Sequence, residues 1–207
     1  MAGGTVFVSV SMSLDGYIAP SSPEELMGRK WRALHQWTFP LRFTRENLKL
    51  GPGGEEGLDD DIARATFERT GASVMGKRMF EAGEHAWPEE APFHTPVYVV
   101  THEPREPWHR PGGTTFHFVT EGIEAALAQA RAAAGDRDVR VAGGGETIVQ
   151  LLDAGLVDEL HVALSPVLMG EGVPLFRGVD AERVVLRQTS VQPSTRVTHL
   201  RYAVHRR

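Results

Sequence analysis

Val139-Arg140-Val141-Ala142-Gly143-Gly144-Gly145-Glu146-Thr147-Ile148-Val149-Gln150-Leu151-Leu152-Asp153-Ala154-Gly155 is the stretch whose reading decides the fold. A short apolar run, 139–142, ends in three glycines, after which Ile148, Leu151 and Leu152 recur at helical spacing. The pattern predicts a strand, a tight glycine turn and a helix. Residues without a Cβ at that junction let a ligand approach the backbone, and the first N–H groups of the helix project without intrahelical partners. Such a terminus attracts phosphate. Three consecutive glycines also cost chain entropy that a plain turn would avoid by using one. The dinucleotide fingerprint G-x-G-x-x-G is not matched, because Ile148 stands where its last glycine would be.

A second junction of the same kind lies upstream. Ala72-Ser73-Val74-Met75 predicts a short strand, and Gly76-Lys77-Arg78-Met79-Phe80-Glu81 starts a helix directly after it. Two cations near a helix N-terminus are disfavoured by the dipole, and a bound anion would offset that cost. Pro96 to Thr101 and Thr115 to Val119 predict further strands, and Gly122 to Ala134 an alanine-rich helix with Ile123, Ala126, Leu127 and Ala130 on one face. Near the N-terminus, Thr5 to Met12 predicts a buried strand leading into the loop Ser13-Leu14-Asp15-Gly16-Tyr17-Ile18-Ala19-Pro20. Val157 to Leu164 is a strand followed by a turn-rich loop, and Arg183 to Val191 with Arg196 to Val204 alternate as an antiparallel hairpin.

Strands alternating with helices, then a hairpin, predict an α/β fold: a mainly parallel sheet flanked by helices with an antiparallel edge. Ligands of such sheets sit at the carboxyl ends of the strands. Gly76, Thr101, Gly143 and the Asp15 loop all fall there and are expected to line one cleft. The 207 residues are expected to form a single domain, 1–207, interrupted at about 20–59 by an irregular insertion. That insertion predicts one short helix, about 24–36, able to cover a pocket; Trp31 and Trp37 within it read as core or interface before ligand contact. Asp59, Asp60 and Asp61 open an amphipathic helix carrying Ile62, Ala65, Thr66 and Arg69, with a capping role preferred for the acids.

The chain has no cysteine, which removes disulfides, zinc–thiolate sites and thiol nucleophiles. Five of the nine histidines lie at 85, 94, 102, 109 and 117, without the close pairs of a helical metal site, so no metal is expected. A net charge of −5 without a long basic run argues against nucleic acid as partner. No apolar stretch approaches the length of a membrane span, and no signal-peptide pattern precedes the first strand, so the expected compartment is cytoplasmic. Gly-x-Ser-x-Gly and Walker motifs are both missing.

Taken in order, Ser13 to Ala19, Val74-Met75-Gly76-Lys77-Arg78-Met79-Phe80, Val99-Val100-Thr101, Ala142-Gly143-Gly144-Gly145-Glu146 and Asp158-Glu159-Leu160-His161 to Leu175-Phe176 resemble the dihydrofolate reductase fold. More narrowly, they resemble its riboflavin-pathway branch, the C-terminal reductase domain of the bifunctional deaminase-reductase, over about residues 6–204. The resemblance implies a three-layer dihydrofolate reductase-like fold, NADPH as cofactor and a homodimer. It implies that backbone groups of Ser11 or Met12, and of Ile18, hold the nicotinamide carboxamide, and that Gly76, Lys77, Arg78 and Met79 meet the pyrophosphate and the 2′-phosphate side of the adenosine. Thr101 would lie beside the adenosine, and Gly144, Gly145, Glu146, Thr147 and Ile148 would cradle the pyrophosphate. Gly143 would join Gly144 through a cis peptide bond.

The implied activity is an NADPH-dependent reduction of a heterocycle, either an aminopyrimidine of riboflavin biosynthesis or a pterin or folate; Trp37 of the inserted segment is the candidate substrate contact, with core or interface packing the preferred reading. The alternative is an NADPH-binding regulatory module of the same fold. Two departures separate the chain from its relatives. Gly143 occupies the position where riboflavin-pathway domains usually carry a substrate-contacting glutamate. The segment that carries a carboxylate in dihydrofolate reductases has also diverged, leaving Glu24, Glu25, Asp59, Asp60, Asp61 and the loop residue Asp15 as the acids available to donate a proton.

Overall fold

The structure is a computed structural model describing residues 3–22, 25 and 28–207. In chain order its strands are β1 (Val6–Ser13), β2 (Tyr17–Ala19), β3 (Thr70–Gly76), β4 (Pro96–Val100), β5 (Trp108–His109), β6 (Thr115–Val119), β7 (Asp138–Gly143), β8 (Glu159–Ser165), β9 (Val173–Pro174), β10 (Val184–Pro193) and β11 (Thr198–Arg206). The helices are α1 (Arg29–Leu34), α2 (Arg42–Asn47), α3 (Leu58–Arg69), α4 (Lys77–Glu84), α5 (Ile123–Ala134) and α6 (Gly145–Asp153).

Nine strands form one sheet in the order β10-β11-β8-β1-β7-β3-β4-β6-β5, and β2 pairs with β9 in a separate two-stranded ribbon. The pairings of β1 with β7 and β8, of β3 with β4 and β7, and of β4 with β6 are parallel. Both margins are antiparallel: β11 turns against β8 and β10 at one side, and β5 against β6 at the other. The parallel centre brings the carboxyl ends of β1, β3, β4 and β7 to the same edge. This is the expected three-layer dihydrofolate reductase-like architecture.

Alternation along β1 distributes its side chains to two different layers. Val6, Val8, Val10 and Met12 pack with Leu127, Ala130, Ile148, Leu151 and Leu152 of α5 and α6. The opposite face meets α3 and α4. There Phe116, fully buried, is ringed by Trp87, Phe93, Phe80 and Trp108 at centroid separations of 5.1 to 5.8 Å. A third cluster, Trp37, Leu41, Ala63, Ala163 and Val197, docks the inserted segment on the sheet.

Three expectations change. The insertion carries two helices, α1 and α2, because Phe43 and Leu41 find an apolar seat against α3 that local propensity does not announce. In α3 the buried side chains are Asp59, Asp60, Ala63 and Thr66, while Ala65 is exposed. The acids are not caps: Gly57 occupies the N-cap without a side-chain bond. Asp59 instead accepts from His199 Nε2 (2.7 Å) and Ser194 Oγ (3.0 Å), and Asp60 accepts from the Phe43 N–H at 2.6 Å. They fasten α3 to β11 and to α2. No helix among the described residues is long and apolar enough to cross a membrane.

Candidate active site

One cleft of about 1230 Å³ runs along the carboxyl edge of the sheet and beneath the inserted segment. Its first half is made of backbone. β7 ends in Gly143, whose φ of +136° is a conformation that side chains resist. The Gly143–Gly144 peptide bond is cis, as the resemblance implied. Gly144 then caps α6, whose first internal bond runs from the Ile148 N–H to the Gly144 carbonyl (3.1 Å). The amides of Gly145, Glu146 and Thr147 are thereby the donors that the helix itself does not use. A Cβ placed on Gly144 would meet nothing within 4 Å, so the bend opens onto free space.

The second glycine junction closes on the first. A Cβ on Gly76 would stand 2.5 Å from Thr147 Oγ1, and one on Gly143 would stand 2.8 Å from Met79 Sδ. A side chain at Gly76 would displace Thr147, and one at Gly143 would displace Met79 as well as strain the positive φ. Gly76, Lys77, Arg78, Met79, Thr101 and Gly143 to Thr147 all line the cleft, together with Ser11 and Ile18 from β1 and β2.

Four expected site residues change status. Ile148 is fully buried in the core, and its N–H serves the helix, so it offers nothing to a ligand. The Met12 side chain packs in the α5/α6 layer, because alternation that aims Ser11 at the cleft aims its neighbour away; of the two, Ser11 lines the cleft, and Met12 has only main chain to offer there. Asp15 lies outside the cleft lining. Its carboxylate accepts from Ser13 Oγ (2.5 Å) and from the Met169 and Gly170 N–H groups (3.1 and 2.7 Å), tying the loop after β1 to the loop after β8. Those hydrogen bonds, the Ser13 hydroxyl foremost, hold it down at about 2, the opposite of what a proton donor needs. Lys77 is neutralised within the chain by Glu103 (2.5 Å) and Glu81 (3.5 Å), while Arg78 reaches the Ser21 carbonyl at 3.0 Å. Of the remaining acids, Glu24 lies outside the described residues, and Asp59 and Asp60 are engaged as described above.

The second half of the cleft is built from side chains. Trp37, buried, donates from Nε1 to Ser11 Oγ (3.0 Å) and sits edge-on against His199. Ser9, Phe67, Arg140, His161 and Arg201 complete this wall. His161 contacts Glu159 Oε2 through Nε2 at 3.0 Å. Burial, and then the nearby Arg201 cation, pull its imidazole down to about 4, so the ring is neutral at physiological pH. The sequence reading passed over His161, His199, Arg140 and Arg201. Each sits within a strand pattern that accounts for it without a ligand, and only their shared side of the sheet, visible from the pairing of Ser9 with His161 and of His161 with Arg201, gathers them.

A sequence model of the RibD C-terminal domain matches residues 4–200. The chain belongs to the RibD C-terminal domain family. A local match of 36% identity covers 56 residues, 27% of this chain and 29% of the length of YyaP, an uncharacterised protein of Bacillus subtilis (strain 168). Among solved structures, a Shewanella sp. PV-4 protein provisionally assigned to riboflavin biosynthesis superposes with a TM-score of 0.65 at 22% identity, over 98% of this chain and 99% of that one. Dihydrofolate reductase from Enterococcus faecalis, solved with NADP(H) and RAB-propyl, gives 0.57 at 16% identity over 99% and 97%. A deaminase/reductase of Thermotoga maritima gives 0.57 at 16% identity, over 97% of this chain and 56% of that one. At these identities the neighbours establish the fold of this RibD C-terminal domain, and its chemistry has to be argued from the cleft.

Proposed function

We propose that the chain is an NADPH-dependent reductase that transfers a hydride to a small heterocycle. The observation that supports this most strongly is the open glycine bend. Unused amides of Gly145 to Thr147 face the same cleft as Gly76 and Arg78, and the two junctions touch, so one diphosphate can be held by both. NADPH fits the donor set: a helix N-terminus for the diphosphate, with Arg78 near the start of α4 to meet an additional phosphate, joined by Lys77 where that phosphate displaces Glu103 and Glu81. Ser11 and Ile18 would flank the ring end of the cofactor, which supplies the hydride when bound.

The residues of this chain contribute placement and exclusion of water. Ser11 is fixed by the indole of Trp37, and Trp37 in turn by His199 and Asp59, so the wall beside the reacting atoms rests on buried hydrogen bonds. Isothermal calorimetry with NADPH and NADP⁺ tests the reading directly; affinity in the micromolar range is expected, and no heat at near-millimolar ligand refutes it. The engagement of Asp15, Asp59 and Asp60 elsewhere favours a second reading, in which the domain binds NADPH as a regulatory module without turnover. Loss of absorbance at 340 nm with any member of a pterin and aminopyrimidine panel would eliminate that alternative. A homodimer in a soluble, cytoplasmic setting completes the proposal, and sedimentation velocity on the purified chain checks the oligomer.

A further inference from the structure

Arg69 and Arg140 reach the same face of the sheet beside α3, and only one of them is matched by the protein. Arg69 bonds Asp138 through Nε and Glu159 through Nη1 (2.9 Å), with its guanidinium over the Phe7 ring. Asp138 also accepts the Thr5 N–H at 2.7 Å and Glu159 Oε2 also contacts His161 Nε2, so both carboxylates on this part of the face are already engaged. Arg140 stands two residues after Asp138 on β7 and therefore on the same side. It forms no hydrogen bond or ion pair with any described residue, and its Nε is buried without a partner.

Arg140 is half-buried: its Nε is sealed from solvent without an acceptor while the rest of the side chain faces the cleft, so a cation stands there with no counter-ion from the chain, an arrangement that an anion entering the cleft would relieve. Burial draws Arg140 down to about 10, which leaves it cationic at neutral pH. Phe67 lies 4.8 Å from its Cζ and shields one side. The side chain lines the cleft in the half away from the glycine bend, where Arg201 likewise makes no hydrogen bond or ion pair to a described residue. The one carboxylate lining the cleft among the described residues is Glu146, at the other end.

We propose that Arg140 is a substrate-anchoring residue and that the heterocycle carries a planar anionic group, a carboxylate, which the guanidinium receives edge-on beneath Phe67. This rests on the reductase reading for the identity of the heterocycle, but not for the existence of the anion site. A planar fork beneath an aromatic ring suits a flat two-oxygen anion. The deep position of Arg140, well along β7 from the Gly143 bend, assigns that anion to the substrate and separates it from the cofactor phosphates.

The experiment is calorimetry on the whole chain with matched probes, orotate against uracil and pterin-6-carboxylate against pterin, with and without NADP⁺. In the unmodified chain the carboxylate member of at least one pair should bind roughly tenfold tighter or better, the scale of one charge-assisted pair. Arg140→Met should erase that preference while leaving the neutral probe and NADP⁺ unaffected, and Arg140→Lys should keep part of it. Thermal melting of each variant verifies folding, and the unchanged NADP⁺ isotherm gives a second check. Equal affinity within every pair, or an Arg140→Met loss that falls equally on neutral and charged probes, overturns the proposal. Carboxylate preference in a chain that fails to bind NADP⁺ would uphold the anion site and refute the reductase reading instead.

Discussion

The two halves of the cleft are made by opposite means. The glycine half, from Gly76 to Thr147, presents main chain and owes its shape to atoms that are missing: no Cβ at Gly76, Gly143 or Gly144. The half under the insertion presents side chains, and each is held by another buried one, Ser11 by Trp37, Trp37 by His199 and His199 by Asp59. A site made of backbone geometry is tolerant of nearly every substitution that leaves its glycines alone. A relay of buried polar groups fails wherever one member is removed.

The largest expected effect tests that relay. Asp59→Ala leaves His199 Nε2 and Ser194 Oγ without their buried acceptor, and should destabilise the fold by about 3 to 4 kcal/mol, read as a shift in the denaturant midpoint. Should Asp59→Ala unfold near the unmodified midpoint, the two halves do not differ in the way described. Gly144→Val is the complementary test. Its side chain would project into the open space of the bend without colliding with the protein, so stability should change little while NADPH affinity falls about a hundredfold, close to 3 kcal/mol. Gly144→Val binding NADPH normally would exclude the bend as the diphosphate cradle.

The same contrast explains what the sequence disclosed. Strands β3, β4, β6 and β7, helices α4, α5 and α6, and the glycine half of the site were legible because their signals are local: an apolar run, a glycine, then helical spacing. Ile148 was misplaced by one step of that logic, since a motif names a stretch but burial decides which of its residues face the cleft. The other half depends on register between strands far apart in sequence. Ser9 meets His161 and His161 meets Arg201 across β1, β8 and β11, a juxtaposition that no stretch of the chain carries. β5, β9 and α2 were missed because two to six residues give periodicity too little length to register.

His161 provides a graded probe of the side-chain half. Its folded state holds the ring neutral, pulled from the ordinary histidine value of 6.5 down to about 4 by burial and by Arg201. The unfolded chain takes up a proton as pH falls through 6.5 and the native chain does not, so this stability is complete above 6.5, drains away towards 4 and is level below that. At about pH 5 the loss amounts to about 2 kcal/mol. His35, stacked on Trp31 and also pulled to about 4 by burial, acts in the same direction. His161→Gln and His35→Gln should each flatten part of the acid limb in urea titrations, and the double variant most of it; an unaltered limb in the double variant would assign the acid sensitivity to other groups.

The smallest effect lies at the rim of the glycine half. Lys77 is exposed and already paired with Glu103 and Glu81, so any phosphate it meets must compete with two carboxylates that are present before the cofactor arrives. Exposed pairs of this kind are worth little, and Lys77→Gln should reduce the preference for NADPH over NADH only a few-fold, under about 1 kcal/mol. Glu103→Gln should move the preference the other way by releasing the ammonium. If the two variants shift the NADPH to NADH ratio in the same direction, Lys77 acts on the position of α4 and not on a phosphate, and cofactor selection falls to Arg78, whose present acceptor, the Ser21 carbonyl, carries no charge and is readily exchanged for an anion.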